Sequence, residues 1–335
     1  MKNQLKNIII YLVIFCFLIF FCGYIIWQIQ PPSQEKKSVT FIINEGEGIN
    51  EIGNKLKTKG LVKNSFFFAL SSYFTGAWTK FQAGEYDLSP DMNHFLIIKT
   101  FLNGPKPQEK TITILEGWTN NDIALYLENQ NVVKKEDFLK ALQEIDTSSY
   151  DFLKDKPQTA GLEGYLFPDT YRIYAKSSPK TIISKMLQNF QNKFNEEKIK
   201  AVNEQKRTIF EVVTLASLIE KEAKDKEDRR IVSGIFQKRL EMGMSLESCA
   251  TINYLLEKPK EKLTNEDLKI DSPYNTYLYP GLPPGPINNP GLESIEAAIW
   301  PIKTDYLYFL AGPEGKNVYA KTFEEHQKNK EKYLK

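Results

Sequence analysis

The sequence contains few of the residues that most often bind metals or form disulfides. Its 335 residues include three cysteines and two histidines, His94 and His326. Cys16 and Cys22 lie in an apolar N-terminal run, so the rest of the chain has a single thiol, Cys249, and cannot form an internal disulfide. Because cysteine and histidine form no cluster, we expect no metal site and no cofactor.

The sequence also lacks an excess of either charge. The formal net charge is +2, and charged residues make up 26% of the chain. Nucleic-acid binding usually leaves a strongly basic footprint, so we expect no nucleic-acid partner. The hydrophobic fraction of 41% is that of an ordinary globular protein, and the length suffices for two domains plus an appendage.

One long apolar run is present, at residues 8–27. It has no charged residue over about twenty positions, which is the length of a helix that spans a bilayer. Lys2 and Lys6 precede it in the tail of residues 1–7, and the positive-inside rule predicts that this tail stays in the cytoplasm. We therefore expect a single-pass anchor in the lipid bilayer, with the rest of the chain on the extracytoplasmic side.

A cleaved signal peptide is the competing interpretation of this run. Such a peptide has a shorter apolar region and ends at small residues of the Ala-x-Ala kind. Bulky residues such as Phe20 and Tyr24 fill that place, and Phe21 is too large for the usual lipoprotein processing site before Cys22. The sequence thus favours an uncleaved anchor, followed by a short stiff linker at residues 28–37.

Beyond the linker, hydrophobic periodicity and turn residues predict an α+β protein in two parts. The first part, residues 38–108, is a small domain whose patterns predict the order strand, helix, helix, strand, helix. The second part, residues 109–335, is mainly helical. Its predicted elements are strands at 111–115 and 306–311, helices at 132–142, 181–203, 208–224 and 225–242, and a loop rich in glycine, aromatics and carboxylates at 161–171.

The helix predicted at residues 208–224 is the most informative element. Thr208 and Glu211 have the spacing of a capping box, which satisfies two backbone donors at the start of a helix. Glu220 adjoins the apolar stripe of this helix, where loss of solvation favours a neutral carboxyl of the kind that a general acid needs. Glu222 points to another face. The alternative is that Glu220 is a solvated or salt-bridged helix residue.

Five motifs follow one another along the second part of the chain. They are LEGYLFPDTY at 162–171, TLASLIEKE at 214–222, SPYNTY at 272–277, GLPPG at 281–285 and NPG at 289–291. In this order they resemble the endolytic murein transglycosylases, the MltG or YceG-like family. The resemblance extends from the anchor to the C-terminus.

The resemblance implies a fold and a reaction. It implies a LysM-like domain at residues 38–108, a catalytic domain at residues 109–335, and Glu220 as the catalytic acid. The implied enzyme is a lytic transglycosylase of the bacterial inner membrane that cleaves peptidoglycan glycan strands between N-acetylmuramic acid and N-acetylglucosamine. Its product has a 1,6-anhydro end, and its role is to terminate nascent strands, with peptidoglycan synthases as candidate partners.

Seven further residues are candidates for substrate binding. In the loop at 161–171 and in the SPYNTY run, rings could stack on sugars and polar groups could bond to hydroxyl or N-acetyl groups. The alternative is that glycines and prolines set loops and turns in which these side chains are structural. The candidates are Glu163, Tyr165, Asp169, Glu247, Tyr274, Asn275 and Tyr277.

The sequence departs from the family pattern at residues 246–251. The family usually has LQSDPT there, and this chain has LESCAT, so Glu247, Cys249 and Ala250 differ. These departures leave open a non-catalytic glycan-binding scaffold of the cell-wall machinery. A hydrolase of the muramidase type that pairs Glu220 with Glu163 or Asp169 also remains open, because hydrolases generally position two carboxyls.

Overall fold

The computed structural model describes residues 2–106, 109–174, 177–256, 258–312 and 316–333. The chain divides into two compact units, Met1–Gln108 and Glu109–Lys335. The α+β class and the predominance of helix predicted from the sequence are confirmed.

The first unit begins with a helix, α1, at Lys2–Ile29. Within it, Ile8–Ile29 has a mean hydropathy of 2.9, and no side chain in its most apolar stretch of 18 residues is buried, whereas Gln28 near its end is buried. Among the described residues this is the one helix that is long and apolar enough to cross a membrane. The apolar run predicted at 8–27 is therefore a continuous helix.

The rest of the first unit follows the predicted order of strands and helices. Its elements are β1 at Val39–Ile43, α2 at Ile49–Thr58, α3 at Ser65–Phe74, β2 at Gly84–Leu88 and α4 at His94–Asn103. β1 and β2 pair antiparallel, with Phe41 opposite Tyr86. Both residues belong to a core with Leu56, Phe68 and Phe101. Burial of these rings on one side of the two strands holds the unit together.

The described residues of the second unit form two separate antiparallel strand pairs. β3 at Glu109–Thr113 pairs with β4 at Thr170–Tyr174. β5 at Tyr308–Ala311 pairs with β6 at Asn317–Ala320. The sequence analysis did not predict β4, because its first residues look like the end of the aromatic loop. Pairing with β3 turns the end of that loop into a strand.

Helices make up most of the second unit. They are α5 at Asn120–Asn129, α6 at Lys135–Glu144, α7 at Pro179–Lys193, α8 at Glu196–Glu204, α9 at Ile209–Glu222, α10 at Lys226–Glu241, α11 at Cys249–Leu255, α12 at Leu292–Ile299 and α13 at Phe323–Tyr333. α9 runs through the core and packs against α10 and α12.

The single long helix predicted at residues 181–203 is wrong. The chain leaves the helical conformation at Phe194, and Asn195 starts a second helix by accepting a hydrogen bond on its side chain from the backbone N–H of Lys198. Asparagine competes with backbone groups for hydrogen bonds and is therefore favoured at the N-terminus of a helix. The apolar periodicity continues across this break, which is why it conceals the boundary.

Candidate active site

α9 brings Glu220 to the site. The predicted capping box is confirmed: Thr208 accepts from the backbone N–H of Glu211, and the Glu211 carboxylate accepts from the N–H of Thr208. Every residue from Ile209 to Ile219 except Glu211 is buried, so the helix is fixed on nearly all sides. Glu220 lies in its last turn, and its side chain is 6% exposed.

Arg229, at the start of α10, binds Glu220 directly. Its Nη2 lies 3.1 Å from Glu220 Oε1, and its Nη1 lies 2.6 Å from Glu293 Oε2. Its Nε donates to the carbonyl of Ala223, and Glu116 Oε2 is 3.8 Å from Nη2. The Arg229 side chain is 8% exposed. One buried guanidinium thus holds three carboxylates, and its fixed fork of donors orients Glu220.

The second oxygen of Glu220 is held by the backbone. The N–H of Gly291 donates to Glu220 Oε2 at 2.9 Å. A Cβ at position 291 would lie 2.0 Å from Glu116 Oε1, so a glycine is required for Glu116 to approach this closely. Burial and the neighbouring Glu220 carboxylate raise the pKa of Glu116, against the attraction of Arg229.

Asn289 connects this cluster to the aromatic loop. Its Oδ1 accepts from the N–H of Leu166 at 2.8 Å, and its Nδ2 donates to Glu163 Oε1 at 3.2 Å. Its backbone N–H and C=O pair with the turn at residues 117–118. The segment 289–291 therefore contacts Glu163 with its first residue and Glu220 with its last.

Glu163 lies at the wall of a cavity of about 660 Å³. Tyr254 and Tyr274 line the same cavity with their rings 5.2 Å apart. Burial raises the pKa of Glu163 to about 8, although the backbone N–H of Asn120 donates to it. Burial at this wall therefore favours the protonated form of the Glu163 carboxyl compared with an exposed glutamate.

The other candidates from the aromatic loop occupy different surroundings. Tyr165 is fully buried against Phe152 and Phe190, which is a core position and does not support substrate contact. Asp169 accepts from Asn189 and from the N–H of Thr170, as a residue that stabilises a turn does.

The candidates beyond α10 form a separate group. Asn275 is fully buried and donates to two backbone carbonyls, so its side chain fixes a turn. Tyr277 Oη is 3.0 Å from Cys249 Sγ. Glu247 has a positive φ of 51° and lies 3.7 Å from Arg239. No contact of this group with Glu220 occurs among the described residues, while Tyr274 of the same run lines the Glu163 cavity.

Glu222 is on another face of α9, as expected, but it is not a free surface residue. Ser248 donates to its carboxylate, and burial raises its pKa. This hydrogen bond connects α9 to the loop at residues 246–251, where the sequence departs from the family pattern.

Sequence reasoning missed Arg229, Glu116 and Glu293. Arg229 and Glu293 lie in the first turns of helices that contain other charged residues. Their spacing in the sequence does not distinguish them from those residues. Glu116 follows a strand and precedes a glycine, which is the only local signal that its backbone makes a tight turn. No group of three or more His, Cys, Asp or Glu side chains is placed to hold a metal ion within the described part of the chain.

A buried carboxyl that is oriented by a guanidinium and a backbone amide makes Glu220 a candidate for acid–base chemistry. The comparisons with known proteins give the family. The YceG-like family matches residues 41–332, and the chain belongs to it. The resemblance inferred from the five motifs is therefore confirmed.

Curated relatives share much of the sequence. A protein of Bacillus subtilis named endolytic murein transglycosylase is 35% identical over 318 residues, which cover 91% of this chain and 88% of the relative. A Streptococcus pneumoniae protein of the same name is 33% identical over 98% of this chain and 65% of its own length. A crystal structure of a YceG-like protein from Listeria monocytogenes is 35% identical and superimposes with a TM-score of 0.60 over 88% of this chain and 100% of that chain.

Proposed function

We propose that the protein is an endolytic murein transglycosylase with Glu220 as its catalytic acid and base. The observation that supports this is the position of Glu220: it lies in the family motif, at the end of a buried helix, with both oxygens held by Arg229 and Gly291. The names of the relatives give murein, or peptidoglycan, as what those proteins act on. The bond proposed for this protein is the β-1,4 link between N-acetylmuramic acid and N-acetylglucosamine.

The reaction needs one carboxyl in two protonation states. Protonated Glu220 donates its proton to the glycosidic oxygen while the bond from that oxygen to C1 of N-acetylmuramic acid breaks. Positive charge then develops at this C1. The resulting Glu220 carboxylate takes the proton of the 6-hydroxyl of the same sugar, whose oxygen forms the new bond to C1. The proton on Glu220 is thereby restored, and the product is a 1,6-anhydro sugar.

Arg229 and the amide of Gly291 support the intermediate state. Both donate to the carboxylate, and charge-assisted hydrogen bonds are stronger than neutral ones, so they stabilise Glu220 after it has given up its proton. Because the nucleophile is part of the substrate, its effective concentration is high and a second catalytic carboxylate is unnecessary.

Glu163 supports a second candidate, a hydrolase. It is a carboxyl with a raised pKa at a cavity, and it is linked to the Glu220 cluster through residues 289–291. In that reaction water would replace the 6-hydroxyl as the nucleophile, and the product would have a reducing end.

The product decides between these reactions. Purified full-length protein in detergent is incubated with peptidoglycan, and the released fragments are analysed by mass spectrometry. The transglycosylase gives ends that are lighter by one water than the reducing ends of a hydrolase. Exclusively reducing ends would establish the hydrolase. Absence of any released fragment from wild-type protein would instead favour the glycan-binding scaffold.

We also propose the placement of the domains. The helix at Ile8–Ile29 would be the single-pass anchor, with residues 1–7 in the cytoplasm and the second unit outside as the catalytic domain. The strand–helix–helix–strand order of β1, α2, α3 and β2 supports a LysM-like domain at residues 38–108. Retention of intact protein in membranes after a high-pH wash would support the anchor, whereas a soluble species that begins near residue 28 would contradict it.

A further inference from the structure

The helix α3 buries Phe68 and Ala69 on its inner side but exposes large aromatic side chains on its outer side. Residues 64–79 contain no charged side chain. α3 buries Ser71 and Ser72, while Phe66 is 65% exposed and Phe74 is 84% exposed. A helix on the surface of a soluble domain normally buries its large apolar residues and exposes its polar ones. On its outer side, α3 instead exposes the large aromatic rings of Phe66 and Phe74.

The aromatic surface continues beyond α3. Tyr73 is 50% exposed and Trp78 is 46% exposed, with their rings 4.9 Å apart. Together with Phe66 and Phe74 they form what we call the α3 aromatic face. A cluster of exposed aromatic rings is uncommon on a soluble protein and marks an interaction site. Tyrosine and tryptophan are enriched where membrane proteins meet the headgroup region of a bilayer.

α3 packs against the C-terminal end of α1. The ring of Phe67 meets the ring of Tyr24 edge to face at 5.8 Å. Lys63 Nζ donates to the carbonyl of Trp27 at 2.8 Å and lies 4.3 Å from the centre of its ring. The first unit thus fixes α3 beside the last turns of the apolar helix.

The length of α1 sets the depth of this contact. Tyr24 and Trp27 lie 16 and 19 residues after Ile8, or about 24 Å and 28 Å along the helix at 1.5 Å per residue. The hydrocarbon core of a bilayer is about 30 Å thick. If α1 spans it from Ile8, these contacts lie where the hydrocarbon gives way to the outer headgroups.

We propose that α3 is an interfacial helix, with the α3 aromatic face inserted in the outer leaflet of the phospholipid bilayer beside α1. This inference rests on the proposed anchor and goes beyond it, because it gives the first unit a second contact with lipid. Lys80 follows the uncharged segment and is exposed, so its ammonium group suits the phosphates of the headgroups, while Lys63 before the segment contacts Trp27. Residues 38–108 would then lie against the membrane and would not move freely about the linker of residues 28–37.

The test uses the full chain in phospholipid nanodiscs with a fluorescent label at one position. The three native cysteines are replaced by serine, and a single cysteine is introduced by Phe74→Cys, Ile14→Cys or Lys57→Cys. Position 14 reports on the anchor, and Lys57 is an exposed residue of α2 in the same unit. All three side chains are exposed in the structure, so the substitutions leave the fold intact.

Phospholipids that carry a quencher on the acyl chain are then added to the nanodiscs. We expect loss of most of the emission at positions 14 and 74, and little loss at position 57. Quenching at 14 without quenching at 74 would overturn the interfacial helix and leave the anchor intact. No quenching at 14 would refute the anchor and the inference together. A blue-shifted but unquenched label at 74 would show that this face is covered by protein instead of lipid and would overturn the lipid contact.

Discussion

Replacing Glu220 with glutamine tests the acid–base role most directly. Glutamine keeps the shape of the side chain, but its single carbonyl oxygen can accept from only one of Arg229 and Gly291, and it cannot supply the acidic proton. General acid–base help is worth about 10²–10⁴-fold, so we expect turnover to fall by at least that factor. Glycan binding should persist, because a proton donor acts mainly in the transition state.

The structure also sets the expected cost in stability. Arg229 loses one charged partner but keeps Glu293 at 2.6 Å and Glu116 at 3.8 Å. It is therefore not left as an unpaired buried charge, whose cost would be about 3–5 kcal/mol. Glutamine leaves either the Arg229 donor or the Gly291 amide without its acceptor, which costs about 1–3 kcal/mol and lowers the melting temperature by several degrees in a unit of this size.

The assay compares three proteins in detergent. Anhydro-end formation, melting temperature and binding to peptidoglycan are measured for the wild type, for Glu220→Gln and for Glu227→Gln. Glu227 is exposed in the first turn of α10 and is the control. Glu222 is unsuitable as a control because its buried carboxyl accepts from Ser248. Near-wild-type turnover by Glu220→Gln would refute the assignment, and a collapse of its melting temperature would show that the cluster acts mainly in folding.

Three further predictions concern other parts of the molecule. Gly234→Ala should destabilise the second unit by about 1–3 kcal/mol, because its Cβ would lie 2.1 Å from the carbonyl oxygen of Ile302; an unchanged melting temperature would contradict this. Burial raises the pKa of Glu163 to about 8, so its contribution to stability is complete below about pH 4.5 and is lost as the pH rises through 8. As the pH rises from about 4.5 to 8, the melting temperature of Glu163→Gln should therefore rise relative to that of the wild type. Burial lowers the pKa of His94 to about 4, so wild-type stability should fall between pH 6.5 and 4 by up to about 1.4 kcal/mol per pH unit, and His94→Gln should remove this dependence.

Local sequence signals predicted the elements that depend on neighbouring residues. The capping box of Thr208 and Glu211, the apolar stripe of α9 and the order of elements in the first unit all follow from short-range patterns. The break at Asn195 was missed because apolar periodicity continues on both sides of it. β4 was missed because its partner, β3, lies about sixty residues earlier in the sequence.

The site was predictable only in part. Glu220 could be selected because motif and helix context coincide. Its partners could not, since Arg229 comes from the next helix and Gly291 from a loop that meets α9 only after folding. Tyr165 and Tyr274 look alike in sequence, as aromatic residues near glycine and proline, yet one is in the core and the other lines a cavity. Burial, which separates them, is a property of the whole fold.

The hydrogen bond from Gly291 to Glu220 has a consequence for biosynthesis. The two residues are 71 positions apart, and Glu220 comes first. At about 5–20 residues per second, roughly 4–14 s pass between the synthesis of Glu220 and that of the amide that orients it. During that interval the nascent chain has its proposed acid but lacks residues 289–291, which join Glu220 to the aromatic loop. With Glu220 in the proposed role, an enzyme that cuts the wall around the cell would thus stay inactive until residues 289–291 of the second unit have been made.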